Sequence, residues 1–292
     1  MSKRSDNLVC LWCLRSYHRQ CWESIPDDAK QGKCDYGILG NLIVRPQWLR
    51  RVASSPAGFR AELTDNLNTN NVLFTPVIFF INKLSGGQKG EEIYRKLVGL
   101  VNPRQVFLLE NDATIMQALS IYSSLVNIHI CVCGGDGTVS WVLNRLIDFF
   151  PSLENPPVSI YPLGTGNDLS RVLGWGYQYD PKRLLRVLAQ IPDAQPVALD
   201  CWQIKFETLE MAPTTPNDES SFAHQDCSFF LNRPKFVRNA NELKGHRIAQ
   251  CSQVCLELSR PMPVQMDGEP FYLVEPAIVN IIYTGQVNVL RN

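Results

Sequence analysis

The chain is 292 residues long, which at roughly 150 residues per domain predicts two compact units and an appendage. Hydrophobic residues make up 45% of it, enough to fill cores at this length and to exclude wholesale disorder. Lys plus Arg and Asp plus Glu are 28 each, so the formal net charge is zero and there is no basic footprint for nucleic acid.

At the amino terminus, Lys3 and Arg4 ahead of residues 8–14 faintly imitate a signal peptide. Asp6 and the lack of a small-residue cleavage site argue for mature structure instead. No apolar run approaches the roughly 18 residues of a membrane-spanning helix, so nothing is expected to cross a bilayer. Of ten cysteines, Cys10, Cys13, Cys21 and Cys34 fall early at metal-ligand spacing, and Cys131 and Cys133 sit in an apolar run. That is a reduced, intracellular pattern. Residues 1–40 therefore read as a small module dependent on staples, and residues 41–73, with Pro46, Pro56, Gly58 and an Asn-rich patch, as a polar connector.

From residue 74 to 206 strand and helix patterns alternate. Strands are predicted at 77–81, 106–109, 128–133 and 158–163, and helices at 91–100, 113–124, 138–150 and from about 168. The run 77–81 is continuously apolar, as a strand buried on both faces must be. The rhythm predicts an α/β fold: a parallel sheet with helices on both faces. Ligands of such sheets bind at the carboxyl ends of strands. Residues 207–246 read as an atypical linker, acidic and then basic, with no clear periodicity. Residues 247–292 read as short strands of a partial antiparallel β domain, with Asp267-Gly268 as a hairpin turn.

The chemistry gathers at glycine-rich turns. Cys133-Gly134-Gly135-Asp136-Gly137-Thr138 ends a strand and opens a helix, so backbone N–H groups and a helix dipole can meet an anion. A plain tight turn uses the same residue types. One βαβ unit later, Gly164-Thr165-Gly166-Asn167-Asp168 repeats the pattern, and neighbouring parallel strands would bring both turns to one edge. Asp168 is equally a candidate helix cap. A third loop, from Asn82 to Gly87, can reach the same edge. Neither a Gly-Lys-Ser/Thr phosphate loop nor a Gly-x-Gly-x-x-Gly dinucleotide motif occurs.

Together with Leu173-Gly174-Trp175-Gly176 and Met266-Asp267-Gly268-Glu269-Pro270, these turns resemble the diacylglycerol kinases, most closely the epsilon type, across residues 74–206. The resemblance implies transfer of the ATP γ-phosphate to diacylglycerol, giving phosphatidic acid, with Mg²⁺. It implies that Gly134, Gly135, Gly137 and Thr138 cradle phosphates with Asp136 essential beside them. Gly164, Thr165, Gly166, Asn167 and Asp168, with Asn82, would complete the nucleotide pocket and the Mg²⁺ shell. Asp267 would be the general base, against the plain hairpin reading of the same residue.

The amino-terminal module resembles the closing part of a phorbol-ester/diacylglycerol-type zinc finger. That likeness implies one Zn²⁺ on Cys10, Cys13 and Cys34 and another on His18 and Cys21, both short of four ligands. The region after residue 206 is shorter than the family's accessory domain, which makes a nucleotide- or lipid-binding regulatory form the alternative to an active kinase. The expected partners are diacylglycerol and a membrane lipid surface, with a cytoplasmic, peripheral location.

Overall fold

The computed structural model describes residues 7–10, 16–26, 36–53, 58–62, 74–164, 166–208, 227–230, 250–266 and 269–292. The chain is α/β, built on a mostly parallel sheet. Strands β1 (Asn7–Val9) and β2 (Ser16–His18) pair ahead of the short helix α1 (Arg19–Glu23), and β3 (Leu49–Arg51) pairs with β4 (Phe59–Ala61). The parallel strands are β5 (Val77–Ile81), β6 (Val106–Leu108), β7 (His129–Gly134) and β8 (Val158–Pro162), in spatial order β6-β5-β7-β8. Every residue of β5 and β8 is buried, which is why both read as unbroken apolar or small runs.

Helices α2 (Ser85–Leu100), α3 (Asp112–Tyr122) and α4 (Asp136–Phe149) connect these strands. Each agrees with its predicted span at the carboxyl end and starts earlier. In α2 the cause is explicit: Gly86, Gly87 and Gln88 have φ of 62°, 68° and 73°, so a left-handed turn precedes the regular helix. In α3 the Asn111 side chain accepts from the Thr114 amide at 3.2 Å and sets the first turn. After β8 come the five-residue α5 (Asp168–Val172) and α6 (Leu184–Gln190).

Beyond residue 194 antiparallel strands are added to the parallel sheet. Strand β9 (Gln195–Thr208) runs antiparallel to the last strand, whose partners extend from Ala277 opposite Thr208 to Arg291 opposite Gln195. That last strand, Ala277–Arg291, joins the parallel sheet through Val289 opposite Val158. Its end is seated firmly. Val287, Val289 and Leu290 are buried in the main core with Leu173 and Trp175, and the Trp175 indole N–H donates to the Leu290 carbonyl at 2.6 Å. Gly174, at φ 85°, lies so close that a Cβ there would come within 2.6 Å of the Asn292 carbonyl oxygen. A short strand β10 (Cys227–Phe230), inside the predicted linker, extends the sheet beyond β9. Strand β11 (Gln253–Leu258) pairs with the upstream half of the last strand.

Strands β12 (Met262–Met266) and β13 (Glu269–Leu273) pair antiparallel with Met266 opposite Glu269; the predicted Asp267-Gly268 turn lies outside the described residues. The last strand, Ala277–Arg291, is therefore β14. Ile204 and Val279 make a second, smaller core with Phe206, Leu258, Leu273 and Ile281.

The segment predicted as a polar connector contributes Leu42, Ile43, Val44 and Trp48 to the main core. Gln105, fully buried, holds it there: its side-chain oxygen accepts from the Val44 amide, and its nitrogen donates to the Leu42 and Val77 carbonyls, each at 2.7 Å. Asn102 donates to the Val44 carbonyl at 2.7 Å. Among the described residues no helix is long and apolar enough to cross a membrane.

Candidate functional site

The order β6-β5-β7-β8 reverses direction between β5 and β7, which opens a crevice at the carboxyl ends of those strands. The loop after β5, the turn after β7 and the turn after β8 all meet there. The two glycine turns touch backbone to backbone. A Cβ on Gly164 would lie 2.9 Å from the Gly135 Cα, and one on Gly134 would lie 2.5 Å from the Thr138 Cβ. The Leu163 amide donates to the Gly134 carbonyl at 2.9 Å, continuing the β7–β8 ladder into the turns. Gly137 is different: nothing lies within 4 Å of where its Cβ would stand, so the first turn of α4 faces open space. The same holds at Gly166.

Asp136 joins the turns. Its carboxylate accepts from the Asp168 amide at 2.8 Å and the Leu169 amide at 3.4 Å, capping α5 from the neighbouring turn. Asp168 does not cap its own helix; its carboxylate pairs with Arg171 at 2.6 Å. Asn167, only 4% exposed, donates to the Gly164 and Tyr177 carbonyls, and its Oδ1, beside Gly164 and Gly135, is buried without a hydrogen-bond partner among the described residues.

The third loop locks onto both turns. Asn82 donates to the Thr138 hydroxyl at 3.0 Å, and its Oδ1 accepts from the Leu84 amide at 3.0 Å. The Gly135 amide donates to the Ser85 hydroxyl at 3.3 Å. Gly86 presses on β8 so closely that a Cβ would sit 2.0 Å from the Leu163 carbonyl oxygen. Sequence reading selected Asn82 from this loop and passed over Ser85 and Gly86. The run Ser85-Gly86-Gly87 was the available signal.

The site's thiols are not nucleophiles. Cys131 and Cys133 are fully buried, and the neighbouring Cys131 sulfur together with burial pushes the Cys133 thiol well above its ordinary range. What remains at the edge is backbone N–H groups, hydroxyls, carboxylates and an orphaned amide oxygen. That set suits a polyphosphate and a hard cation such as Mg²⁺.

Among the other predicted residues, Thr165, Asp267, Cys13 and Cys34 fall outside the described residues. The hairpin strands flanking Asp267 pack through Phe271 on Phe206, with ring centroids 5.6 Å apart, and through Leu273 on the second core. Phe206 faces Val279, upstream of Val289, and Val289 is opposite the first residue of β8. That part of the ladder thus runs out past the amino-terminal end of β8, whereas the glycine turns are at the carboxyl ends. At the amino terminus the Cys21 sulfur and His18 Nδ1 are 4.0 Å apart; among the described residues no cluster of three or more metal-ligating side chains occurs. A cavity of about 260 Å³, lined by Leu146, Phe150, Cys201 and Val287, opens at the far end of α4 from the turns.

Residues 76–203 match the diacylglycerol kinase catalytic domain. The chain is 30% identical to the probable diacylglycerol kinase 3 of Caenorhabditis elegans over 92% of its own length and 37% of that protein's. It is 30% identical to human diacylglycerol kinase iota over 75% of this chain and 22% of the relative, and to human diacylglycerol kinase zeta over 79% and 27%. The chain thus spans well under half the length of these relatives. A crystal structure of yeast NADH kinase complexed with NADH overlaps 84% of this chain and 89% of that one at 13% identity, but a TM-score of 0.34 is too low to relate their sites. Over residues 76–203 the chain is thus similar to the catalytic domain of diacylglycerol kinases.

Proposed function

We propose that the joined glycine turns bind ATP and that the chain transfers its γ-phosphoryl group to the hydroxyl of diacylglycerol, producing phosphatidic acid and ADP. The observation that carries this reading is the contact between the Gly135 and Gly164 backbones, tied by Asp136 to the Asp168 and Leu169 amides, within a segment that matches the catalytic domain.

Amides at the start of α4, beside the open space at Gly137, donate to phosphate oxygens, and Thr138 is oriented by Asn82. Asp168 and the Asn167 amide oxygen are the oxygen donors that would hold Mg²⁺. When bound, the ion neutralises charge on the transferring phosphoryl group. Asp136 is assigned as the residue that sets the spacing of the two turns. Asp267 is assigned by resemblance as the base that takes the hydroxyl proton as the lipid oxygen attacks phosphorus. The substrate's acyl chains make a lipid surface the working location, with the chain bound peripherally. Residues 1–40 are assigned as the closing half of a zinc finger whose zinc content falls below two per chain.

One observation favours a second reading. The strands flanking Asp267 lie along the ladder that leaves the sheet at the amino-terminal end of β8. A chain arranged so binds ATP without turning it over on lipid. Phosphatidic acid formation from ATP, Mg²⁺ and diacylglycerol in mixed micelles, with Asp136→Ala as blank, separates the two. Turnover above the blank supports the kinase. MgATP binding with no turnover supports the regulatory form, and neither activity refutes the nucleotide site.

A further inference from the structure

A polyphosphate brings several negative charges to an edge that already carries Asp136 and Asp168, so side-chain cations decide how well it binds. The nearby cations are mostly engaged. Lys83 pairs with Glu91 at 3.1 Å, Lys96 with Glu92 at 2.6 Å, and Arg171 with Asp168 at 2.6 Å. Lys83 is the main reason the Glu91 carboxyl is held below its usual range.

Lys89 is placed differently. Its ammonium lies 5.2 Å from the centroid of the Tyr179 ring, and the Tyr179 ring meets Tyr161, on β8, edge-to-face at 6.2 Å. Its stem runs along Gly86: a Cβ on that glycine would be 3.3 Å from Lys89 Cδ and 2.0 Å from the Leu163 carbonyl oxygen. Lys89 therefore stands where the third loop crosses the second glycine turn. The backbone ahead of it is strained, because Gln88 is a non-glycine residue at φ 73°. Three successive left-handed residues turn the chain ahead of Lys89, which begins the regular helix and is exposed.

We propose that Lys89 is the side-chain cation that binds the nucleotide's phosphates, leaving the face of Tyr179 for them when nucleotide enters. This assignment rests on the nucleotide site proposed above. The Glu92 carboxylate, paired with Lys96, also feels the Lys89 charge, but among the described residues no ion pair holds Lys89, and a phosphate oxygen is a stronger partner than a ring face.

The test is calorimetric titration of the full chain with MgATP, adenosine and tripolyphosphate. Lys89→Met is compared with Lys89→Arg and with Lys96→Met, a lysine further along the same helix. Lys89→Met is expected to weaken MgATP and tripolyphosphate about tenfold, or about 1.4 kcal/mol, and to leave adenosine unchanged. Lys89→Arg should recover most of the affinity, and Lys96→Met should bind as the wild type does. MgATP affinity in Lys89→Met within about twofold of wild type would overturn the assignment, as would an equal loss of adenosine. Wild-type protein that binds none of the three ligands would instead overturn the nucleotide site itself, and Lys89's role with it.

Discussion

Glycines at the two turns divide into those that let backbones meet and those that keep space clear, and alanine substitution separates them. At Gly164 a new Cβ would stand 2.9 Å from the Gly135 Cα and 3.2 Å from Asn167 Oδ1, well inside ordinary contact. Backbone cannot rotate away as a side chain can, so the turns must part. Overpacking of this kind costs about 1–3 kcal/mol. At about 2–4 °C per kcal/mol for a chain of this size, Gly164→Ala should lower Tm by about 2–12 °C. At Gly137, inside the first turn of α4, a Cβ would meet nothing within 4 Å. Alanine is there the better helix former by about 0.5–1 kcal/mol, so Gly137→Ala should hold or raise Tm by up to about 4 °C. Its methyl group fills the space assigned to phosphate, so the same variant should weaken MgATP binding. Thermal unfolding followed by circular dichroism, with MgATP titration alongside, reads both quantities. A Gly164→Ala protein that melts with the wild type, or a Gly137→Ala protein that binds MgATP unchanged, would refute the division.

Asp136→Ala should abolish phosphatidic acid formation and cost about 0.5–2 kcal/mol through the lost cap on α5, measured by lipid-kinase assay and denaturant titration. Asp267→Asn should spare MgATP binding and stop transfer in the same assay, and retained turnover would remove it as the base. Gln105→Leu orphans the Val44 amide and the Val77 carbonyl at about 1–3 kcal/mol each, while the Leu42 carbonyl keeps the Val77 amide, so denaturant unfolding should report a loss above about 2 kcal/mol. Burial lowers the imidazole of His129 below 6.5, so between its native value and 6.5 the unfolded chain binds more protons. Stability should therefore rise with pH across that window and fall on acidification, and His129→Gln should flatten the slope in Tm against pH.

Local chemistry made part of this protein legible without coordinates. The continuous apolar run of β5, the glycines closing β7 and β8, and the paired strands β12 and β13 all report on neighbours in sequence. Period and turn preference act over a few residues. The meeting of both glycine turns at one edge followed from parallel topology alone. Other features needed partners far away in the chain, and no local pattern encodes a partner. The strand β14 reads as an ordinary β segment, yet its last residues close the main sheet because Trp175 and Gly174 receive them. Residues 42–48 read as connector because a buried Gln105, polar by type, is what draws them into the core. Asp136 reads as a turn or phosphate residue, and only the packed turns show it capping a helix that begins at Asp168. Sequence determined the α/β rhythm and the chemistry of the edge. Tertiary contact decided which backbone amides Asp136 engages and where Lys89 stands, since both depend on distances between segments that meet only when the sheet is assembled.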